Sequence, residues 1–91
     1  MMKSRRVTDC DGRELVTGDR ATYIKVENTL LHELPRKDQL AIMAQLNKIH
    51  EIASIDEQGL VEIEFEYTEA SLETTYHTIW VDPVCLKAIG K

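Results

Sequence analysis

A chain of 91 residues is long enough for one domain with one core and too short for two. Hydrophobic residues make up 43% of it and charged residues 30%, a balance typical of globular and not of disordered proteins. No apolar run approaches the roughly 20 residues that a transmembrane helix needs, so we expect no membrane span.

The first six residues are predicted to form a basic flexible tail. They contain Lys3, Arg5 and Arg6, but they lack the apolar stretch and the small-residue cleavage site of a secretory signal. Cys10 and Cys85 lie far apart and do not form the dense cysteine framework of small secreted scaffolds. We therefore expect a cytoplasmic protein with two free thiols, whose single domain covers residues 7–91.

The charge is distributed unevenly along the chain. Residues 51–91 carry nine acidic residues against two lysines, a local balance of −7 within a total of −5. A folded nucleic-acid-binding domain normally presents a basic face. The acidic half therefore argues against a nucleic acid as the partner of the folded domain and is compatible with a protein that has a basic surface.

The first third of the chain predicts short extended segments joined by tight turns. The pair Asp11-Gly12 suits a turn with positive φ, so residues 7–15 are expected to form a small hairpin. Gly18-Asp19 marks a second turn, and the β-rich run 20–26 that follows it is predicted to be a strand.

A helix is predicted over about residues 36–46. Pro35 suits a helix start, and Asn47 can adopt the left-handed conformation that ends a helix. Between them the apolar residues recur at helical spacing and form one stripe, with Ile42 on its flank. The members of the stripe are Leu40, Met43, Ala44 and Leu46. The stripe could face the core or a partner. A homodimer is possible through an exposed strand edge or through Leu40 and Met43 of the stripe.

The clearest pattern in the chain is a strict alternation over residues 60–67. Four apolar side chains alternate there with three carboxylates, so a strand would bury one set and leave the other in water. The apolar set is Val61, Ile63, Phe65 and Tyr67, and the acidic set is Glu62, Glu64 and Glu66. Residues 76–81 predict another strand, which Asp82-Pro83 ends, and residues 84–86 predict one helical turn before a short closing strand at 87–89.

This order of elements resembles the SH3-like β-barrel, in which a short 3₁₀ turn precedes the last strand. The resemblance implies a mainly β fold, a barrel of about five strands, with the helix at about 36–46 as an insertion. A second resemblance is local and covers residues 7–26. Its residues, Val7, Asp9, Gly12, Leu15 and Gly18-Asp19 running into Tyr23-Ile24-Lys25, are similar to the opening of the C-terminal barrel of the bacterial PhnA-like proteins.

The second resemblance implies the same kind of barrel and no activity, because a shared fold does not transfer a function. The zinc-ribbon half of the PhnA-like proteins has no counterpart in this chain, since the sequence contains no Cys-x-x-Cys pair.

The sequence predicts no metal site, no cofactor and no enzyme. Its three histidines and two cysteines lack the close spacing by which one turn presents two metal ligands. The segment Asp9-x-Asp11-Gly12 has the character of a calcium loop, but its glycine comes too early and further ligands are missing. A nucleophilic enzyme would need a cysteine beside a histidine and an acid, whereas Cys85 is expected to be a small buried hydrophobe.

Protein binding is the function class that remains. Tyr76 and Trp80 share one face of the 76–81 strand, and Ile79 and Val81 share the other. If Ile79 and Val81 enter the core, the aromatic pair is exposed and can anchor a partner. The alternative is that Trp80 lies in the core and His77 faces water.

We therefore expect a non-catalytic protein-interaction module or a small accessory subunit of a larger assembly. Its predicted partner-binding residues are Tyr76, Trp80, Glu62, Glu64 and Glu66. The alternative is a nucleic-acid-associated regulatory protein that uses the basic N-terminal tail and the exposed aromatics.

Overall fold

The computed structural model of the chain describes residues 6–89 and is mainly β, with 37% strand and 17% helix. In chain order the elements are β1 (Arg20–Tyr23), α1 (Asn28–His32), α2 (Arg36–Met43), β2 (Ile49–Glu51), β3 (Ser54–Ile55), β4 (Val61–Thr68), β5 (Thr74–Val81), a 3₁₀ turn (Pro83–Cys85) and β6 (Leu86–Ala88). The predicted tail at 1–6 lies outside the described residues except for Arg6, as do the last two residues of the predicted domain. Between residues 6 and 89, no helix is both long and apolar enough to cross a membrane.

The strands form two antiparallel sheets of three strands each. One sheet has the order β2-β1-β6 and the other has the order β3-β4-β5. Only Ile52 and Ala53 separate β2 from β3, so residues 49–55 pass directly from the first sheet to the second. Neither sheet closes on itself within the described residues, and the predicted SH3-like barrel is therefore not confirmed.

The two longest strands, β4 and β5, form a hairpin that extends from the pair Val61–Val81 to the pair Thr68–Thr74. The predicted alternation in β4 is confirmed, because Val61, Ile63 and Phe65 are buried and Tyr67 is partly buried, while the glutamates lie on the opposite side of the strand. The reason is the period of two along any strand, which sends successive side chains to opposite faces. β5 begins two residues earlier than predicted and ends at Val81 as predicted.

One core contains side chains from both sheets, from residues 28–43 (the helical segment) and from residues 7–15 (the N-terminal arm). Its largest fully buried members include Tyr23, Leu15, Ile42, Ile52, Ile63 and Leu86. Cys85 is 1% exposed, which confirms that it is a small buried hydrophobe, and Cys10 is exposed; neither thiol forms a disulfide within residues 6–89.

The hairpin predicted over residues 7–15 is present and short, with one antiparallel bridge between Thr8 and Glu14. The N–H of Leu15 donates to the carbonyl of Val7, and the N–H of Asp9 donates to the carbonyl of Arg13, each at 2.8 Å. Gly12 turns the chain at a φ of 84°, as the Asp-Gly pair predicted. The second predicted turn is also present, since Gly18 has a φ of 95° and the Asp19 N–H donates to the carbonyl of Val16.

Asp9 joins this arm to β6, the edge strand of the sheet β2-β1-β6. Its side chain is buried, and Oδ1 accepts hydrogen bonds from the backbone N–H groups of Asp11 (2.9 Å) and Arg13 (2.8 Å). Oδ2 accepts a third from the N–H of Ala88 in β6, at 2.6 Å. The N–H of Cys10 also donates to the carbonyl of Leu86 in β6, at 3.0 Å. The Asp9 carboxylate thus adds to the backbone bonds of the short hairpin and helps to tie the arm to a strand 79 positions away.

The helical segment differs from its prediction in two respects. α1 was not expected, and α2 ends at Met43, three residues before the predicted end, although Asn47 adopts the predicted left-handed conformation at a φ of 67°. Leu40 and Met43 of the predicted stripe are 43% and 48% exposed, and α2 buries Ala41 and Ile42 instead. The stripe therefore does not face the core, and the alternative that it faces a partner stays a prediction. Because the helix ends at Met43, the helical period does not assign residues 44–46 to the same face. A homodimer through this segment stays a prediction.

The final turn and strand are close to their predictions. The 3₁₀ turn spans Pro83–Cys85, one residue earlier than expected, and β6 follows it directly. Asp82 caps the turn, since its Oδ1 accepts a hydrogen bond from the N–H of Val84 at 3.0 Å.

Candidate functional site

The five predicted binding residues share the outer face of the β4–β5 hairpin. The register places Glu62 opposite Trp80 and Glu66 opposite Tyr76, and Glu64 lies between them opposite Thr78. We call these six residues the acidic–aromatic face. Sequence reasoning did not single out Thr78, although its position midway between the two aromatics was a sufficient signal.

The structure also decides between the two orientations of β5 that the sequence left open. Trp80 is 40% exposed and Tyr76 is 62% exposed, whereas Ile79 and Val81 are buried. The alternative, with Trp80 in the core and a water-facing His77, is wrong, because His77 is only partly exposed and lies on the inner side.

The pairs across this face are of the closely spaced kind. At the end of the hairpin the N–H of Glu69 donates to the carbonyl of Glu73 at 2.8 Å, which makes that pair a hydrogen-bonded one. Since hydrogen-bonded and non-hydrogen-bonded pairs alternate along an antiparallel ladder, all three pairs of the acidic–aromatic face are non-hydrogen-bonded. The carbonyl of Glu62 confirms this, because it points towards β3 and accepts from the N–H of Ala53 at 2.9 Å. Side chains in such pairs approach each other most closely.

One hydrogen bond joins the acidic and aromatic parts of the face. The Tyr76 hydroxyl donates to Oε1 of Glu64 at 2.7 Å. This bond, together with some desolvation and the charges of Glu64, Glu62 and Glu66, raises the pKa of Tyr76 above its ordinary value. The phenol therefore stays neutral and holds one carboxylate in place.

The three carboxylates have no positive partner within the described part of the chain. The ion pairs found there are His77 with Asp38 and Lys87 with Asp11, each at 3.9 Å, and neither includes a glutamate of the face. The face therefore combines uncompensated negative charge with two exposed aromatic rings.

Aromatic stacking supports the hairpin from its inner side. The Phe65 ring stacks on His77, with centroids 5.3 Å apart, and lies 5.9 Å from the tilted ring of His50. His77 is fixed further by a 2.7 Å hydrogen bond between its Nε2 and the Thr75 hydroxyl. Burial lowers the pKa of His50, which keeps that imidazole neutral at neutral pH. The side of the hairpin opposite the acidic–aromatic face thus carries a group of packed aromatic rings.

The surroundings of the buried Cys85 thiol disfavour the thiolate that a nucleophile requires. Burial raises the pKa of Cys85 to about 11, so the thiol is protonated at neutral pH. A catalytic cysteine needs the opposite shift, which a nearby cation or a helix N-terminus would supply.

One group of potential metal ligands lies close together in residues 6–89. The ligand atoms of Asp9, Cys10 and Asp11 all lie within 4.8 Å of one another. The Asp9 carboxylate is already occupied by three backbone N–H groups. Desolvation and the neighbouring carboxylates raise the pKa of Cys10, which disfavours the thiolate that a metal would need. The group is accounted for by its structural role in the arm.

No family model matches the chain, and no curated protein and no solved structure is significantly similar to it. The function is therefore argued from the geometry and charge of the acidic–aromatic face.

Proposed function

We propose that the protein is a non-catalytic interaction module, or a small accessory subunit of a larger assembly, that binds a basic surface of another protein through the acidic–aromatic face. The observation that carries the proposal is the presence of two exposed aromatics and three uncompensated carboxylates on one side of one hairpin. Exposed aromatic side chains are frequent energetic anchors of protein interfaces.

The two kinds of side chain have different roles in this proposal. Trp80 supplies most of the affinity, because truncating an anchor of this type commonly costs about 2 kcal/mol or more. The three glutamates steer the encounter and select a basic partner, and each exposed ion pair adds only about 0.2–1 kcal/mol. Added salt should therefore lower the association rate more than it shortens the lifetime of the complex.

The same arrangement weighs against a nucleic acid as the partner. A base that stacked on Trp80 or Tyr76 would bring its phosphates close to Glu62, Glu64 and Glu66. Proteins that bind single strands combine such aromatics with a positively charged groove, and here the neighbouring charge is negative.

We also propose that the two sheets are the two halves of an SH3-like barrel in a cytoplasmic protein. The order of pairing supports the barrel, because residues 49–55 join the two sheets and a 3₁₀ turn leads into β6. The two thiols without a disulfide fit a reducing compartment.

The test is comparative affinity capture from native cells with three matched baits. The first bait is the wild type, the second carries Glu62→Lys, Glu64→Lys and Glu66→Lys, and the third carries the same three changes at other exposed sites. The control sites are Glu51, Glu57 and Glu73, which are exposed and lie outside the acidic–aromatic face. We expect the wild-type bait and the control bait to capture a partner protein that the face variant does not capture. Equal capture by all three baits contradicts the proposal, provided that thermal unfolding shows the face variant to be folded.

A further inference from the structure

The outer edge of β5 has no partner strand among residues 6–89. β5 is the last strand in the order β3-β4-β5, and within residues 6–89 no other strand pairs with it. The pairs that β5 forms with β4 are non-hydrogen-bonded at three positions, Tyr76, Thr78 and Trp80. The backbone N–H and C=O groups of these three residues therefore point away from β4. They point to the open edge, and the described residues contain no backbone group that pairs with them there.

This edge lacks the usual protection of an exposed strand. Natural edges are shortened, bulged, or guarded by proline and lysine, because an open edge is a template for another chain. β5 is eight residues long, and its sequence, Thr-Thr-Tyr-His-Thr-Ile-Trp-Val, contains no proline and no lysine. It pairs with β4 in continuous register from Thr74 to Val81 without a bulge. The strand has the features of a docking edge.

We propose that this edge binds an extended basic segment of the partner protein as an added antiparallel strand. The inference rests on the proposed function and adds the mode of binding and the chemistry of the ligand. The added strand would exchange backbone hydrogen bonds with Tyr76, Thr78 and Trp80. We commit to the antiparallel direction because all pairs in the sheet are antiparallel and this pairing is slightly more stable per residue.

The geometry makes lysine or arginine at alternate positions the matching sequence. A residue that forms a hydrogen-bonded antiparallel pair with Thr78 has its side chain on the same face as Thr78, and the two Cα atoms are about 5.5 Å apart. Opposite Trp80 or Tyr76, a cationic side chain lies within the roughly 6 Å at which cation–π attraction acts. Its long stem can cross the aromatic row, so that the charge approaches the carboxylates of β4 about 10 Å away.

Charge decides against a second copy of the chain as the occupant. Pairing two β5 edges would place two sets of glutamates on one continuous face, in two molecules that each carry a net charge of −5. Like charges disfavour that association, whereas a basic segment satisfies both the edge and the face.

The experiment uses synthetic peptides as the probe. The parent is a labelled peptide of alternating lysine and threonine, and its affinity for the full chain is measured by fluorescence anisotropy at low salt. One derivative carries backbone N-methyl groups on three lysines, and another carries them on three threonines. The two derivatives have equal charge and composition. In the proposed antiparallel strand the lysine N–H groups face β5 and the threonine N–H groups face water.

We expect the lysine-methylated peptide to bind about tenfold or more weakly than the parent, which corresponds to the loss of one or more net backbone hydrogen bonds. The threonine-methylated peptide should bind within about twofold of the parent. Equal affinities of the two derivatives overturn strand addition, and a loss confined to the threonine-methylated peptide overturns the antiparallel direction.

The protein side offers an independent pair of variants. Thr78→Pro removes an N–H that points to the open edge and is not needed for pairing with β4, and proline is tolerated at such edge positions. Thr78→Ala is the matched control. We expect the proline variant to unfold near the temperature of the control and to bind the parent peptide about tenfold more weakly. Equal binding by both variants contradicts the inference.

The same peptides separate a failure of this inference from a failure of the proposed function. If the parent peptide binds the wild type but not the variant with lysines at Glu62, Glu64 and Glu66, and N-methylation has no effect, the face binds and the edge does not. If the parent peptide binds both proteins equally, or binds neither, the proposed role of the face fails as well. Dimerisation of the wild type through β5, detected by sedimentation and abolished by Thr78→Pro, would show that a second copy occupies the edge.

Discussion

The Asp9 carboxylate offers the sharpest test of how the arm is held. Its three hydrogen bonds divide into two local ones at Oδ1, to Asp11 and Arg13, and one long-range bond at Oδ2, to Ala88. Asp9→Asn can keep the acceptor oxygen at the first position, but it then places an amide N–H against the N–H of Ala88. The substitution therefore removes the Asp9–Ala88 bond selectively and leaves the bond from the N–H of Cys10 to the carbonyl of Leu86 in place, whereas Asp9→Ala removes all three bonds of the carboxylate.

The expected magnitudes follow from the bonds that each variant loses. A hydrogen bond to a charged group contributes about 1.5–3 kcal/mol, so Asp9→Asn should lower the free energy of unfolding by about 2 kcal/mol. Asp9→Ala should lower it by about 4 kcal/mol, less than three full bonds, because water can solvate the N–H groups of the exposed residues Asp11 and Arg13. Total stabilities of small domains are about 5–15 kcal/mol, so the alanine variant should be close to unfolding.

The assay is urea unfolding followed by far-UV circular dichroism, with Asp11→Asn as the control. Asp11 is exposed, and its ion pair with Lys87 spans 3.9 Å at the surface, so the control should change stability by less than about 1 kcal/mol. If Asp9→Asn is as stable as the control, Asp9 does not hold the arm to β6, and the reasoning is refuted.

The pH dependence supplies a second readout of the same carboxylate. Burial alone would raise the pKa of Asp9, but the hydrogen bonds from Ala88, Arg13 and Asp11 outweigh it and lower the pKa below the ordinary value of 3.8. A group with a lowered folded-state pKa stabilises the protein above its unfolded-state pKa and loses that contribution as the pH falls through the folded value. The stability difference between wild type and Asp9→Asn should therefore be constant at neutral pH and shrink below about pH 3.8.

Three further predictions use other side chains. Tyr23→Phe should raise the free energy of unfolding by about 1 kcal/mol, because the buried hydroxyl has no partner within residues 6–89; a clear decrease would contradict this. Iodoacetamide should label the exposed Cys10 in the native protein and Cys85 only after unfolding, as mass spectrometry can show; native labelling of both thiols would contradict the burial. Glu64→Ala should lower the pKa of Tyr76 in an ultraviolet titration, and an unchanged titration would refute their hydrogen bond.

The composition of the face could be predicted because it depends on a local rule. Alternation along β4 and β5 assigns each side chain to one of two sides whatever the rest of the fold does. The orientation of β5 needed one more fact, which pair of its residues enters the core, and the burial of Ile79 and Val81 supplies it. The register that places Glu62 opposite Trp80 has no signal within either strand.

The features that the sequence did not predict depend on contacts between distant parts of the chain. The pattern over residues 36–46 left open which side of the helix faces the core, and the structure shows that α2 ends at Met43 and buries Ala41 and Ile42. Asp9 has the sequence context of an ordinary turn residue, and its bond to Ala88 spans 79 positions. Likewise, the open edge of β5 is a property of strand order, which no segment of sequence encodes by itself.

Raising the salt concentration distinguishes how much the acidic–aromatic face and the β5 edge each contribute to peptide binding. Between about 0.1 M and 1 M salt the Debye length falls from about 10 Å to about 3 Å, which screens the attraction between the peptide lysines and the carboxylates of β4. The backbone bonds of Tyr76, Thr78 and Trp80 are uncharged, so screening leaves them in place. If both proposals hold, the parent peptide binds more weakly as salt is added, while the affinity ratio between the two methylated peptides stays the same. If the affinity ratio of the two methylated peptides falls to one as salt is added, charge alone holds the peptide. The difference between them at low salt would then come from the carboxylates and not from backbone bonds to β5.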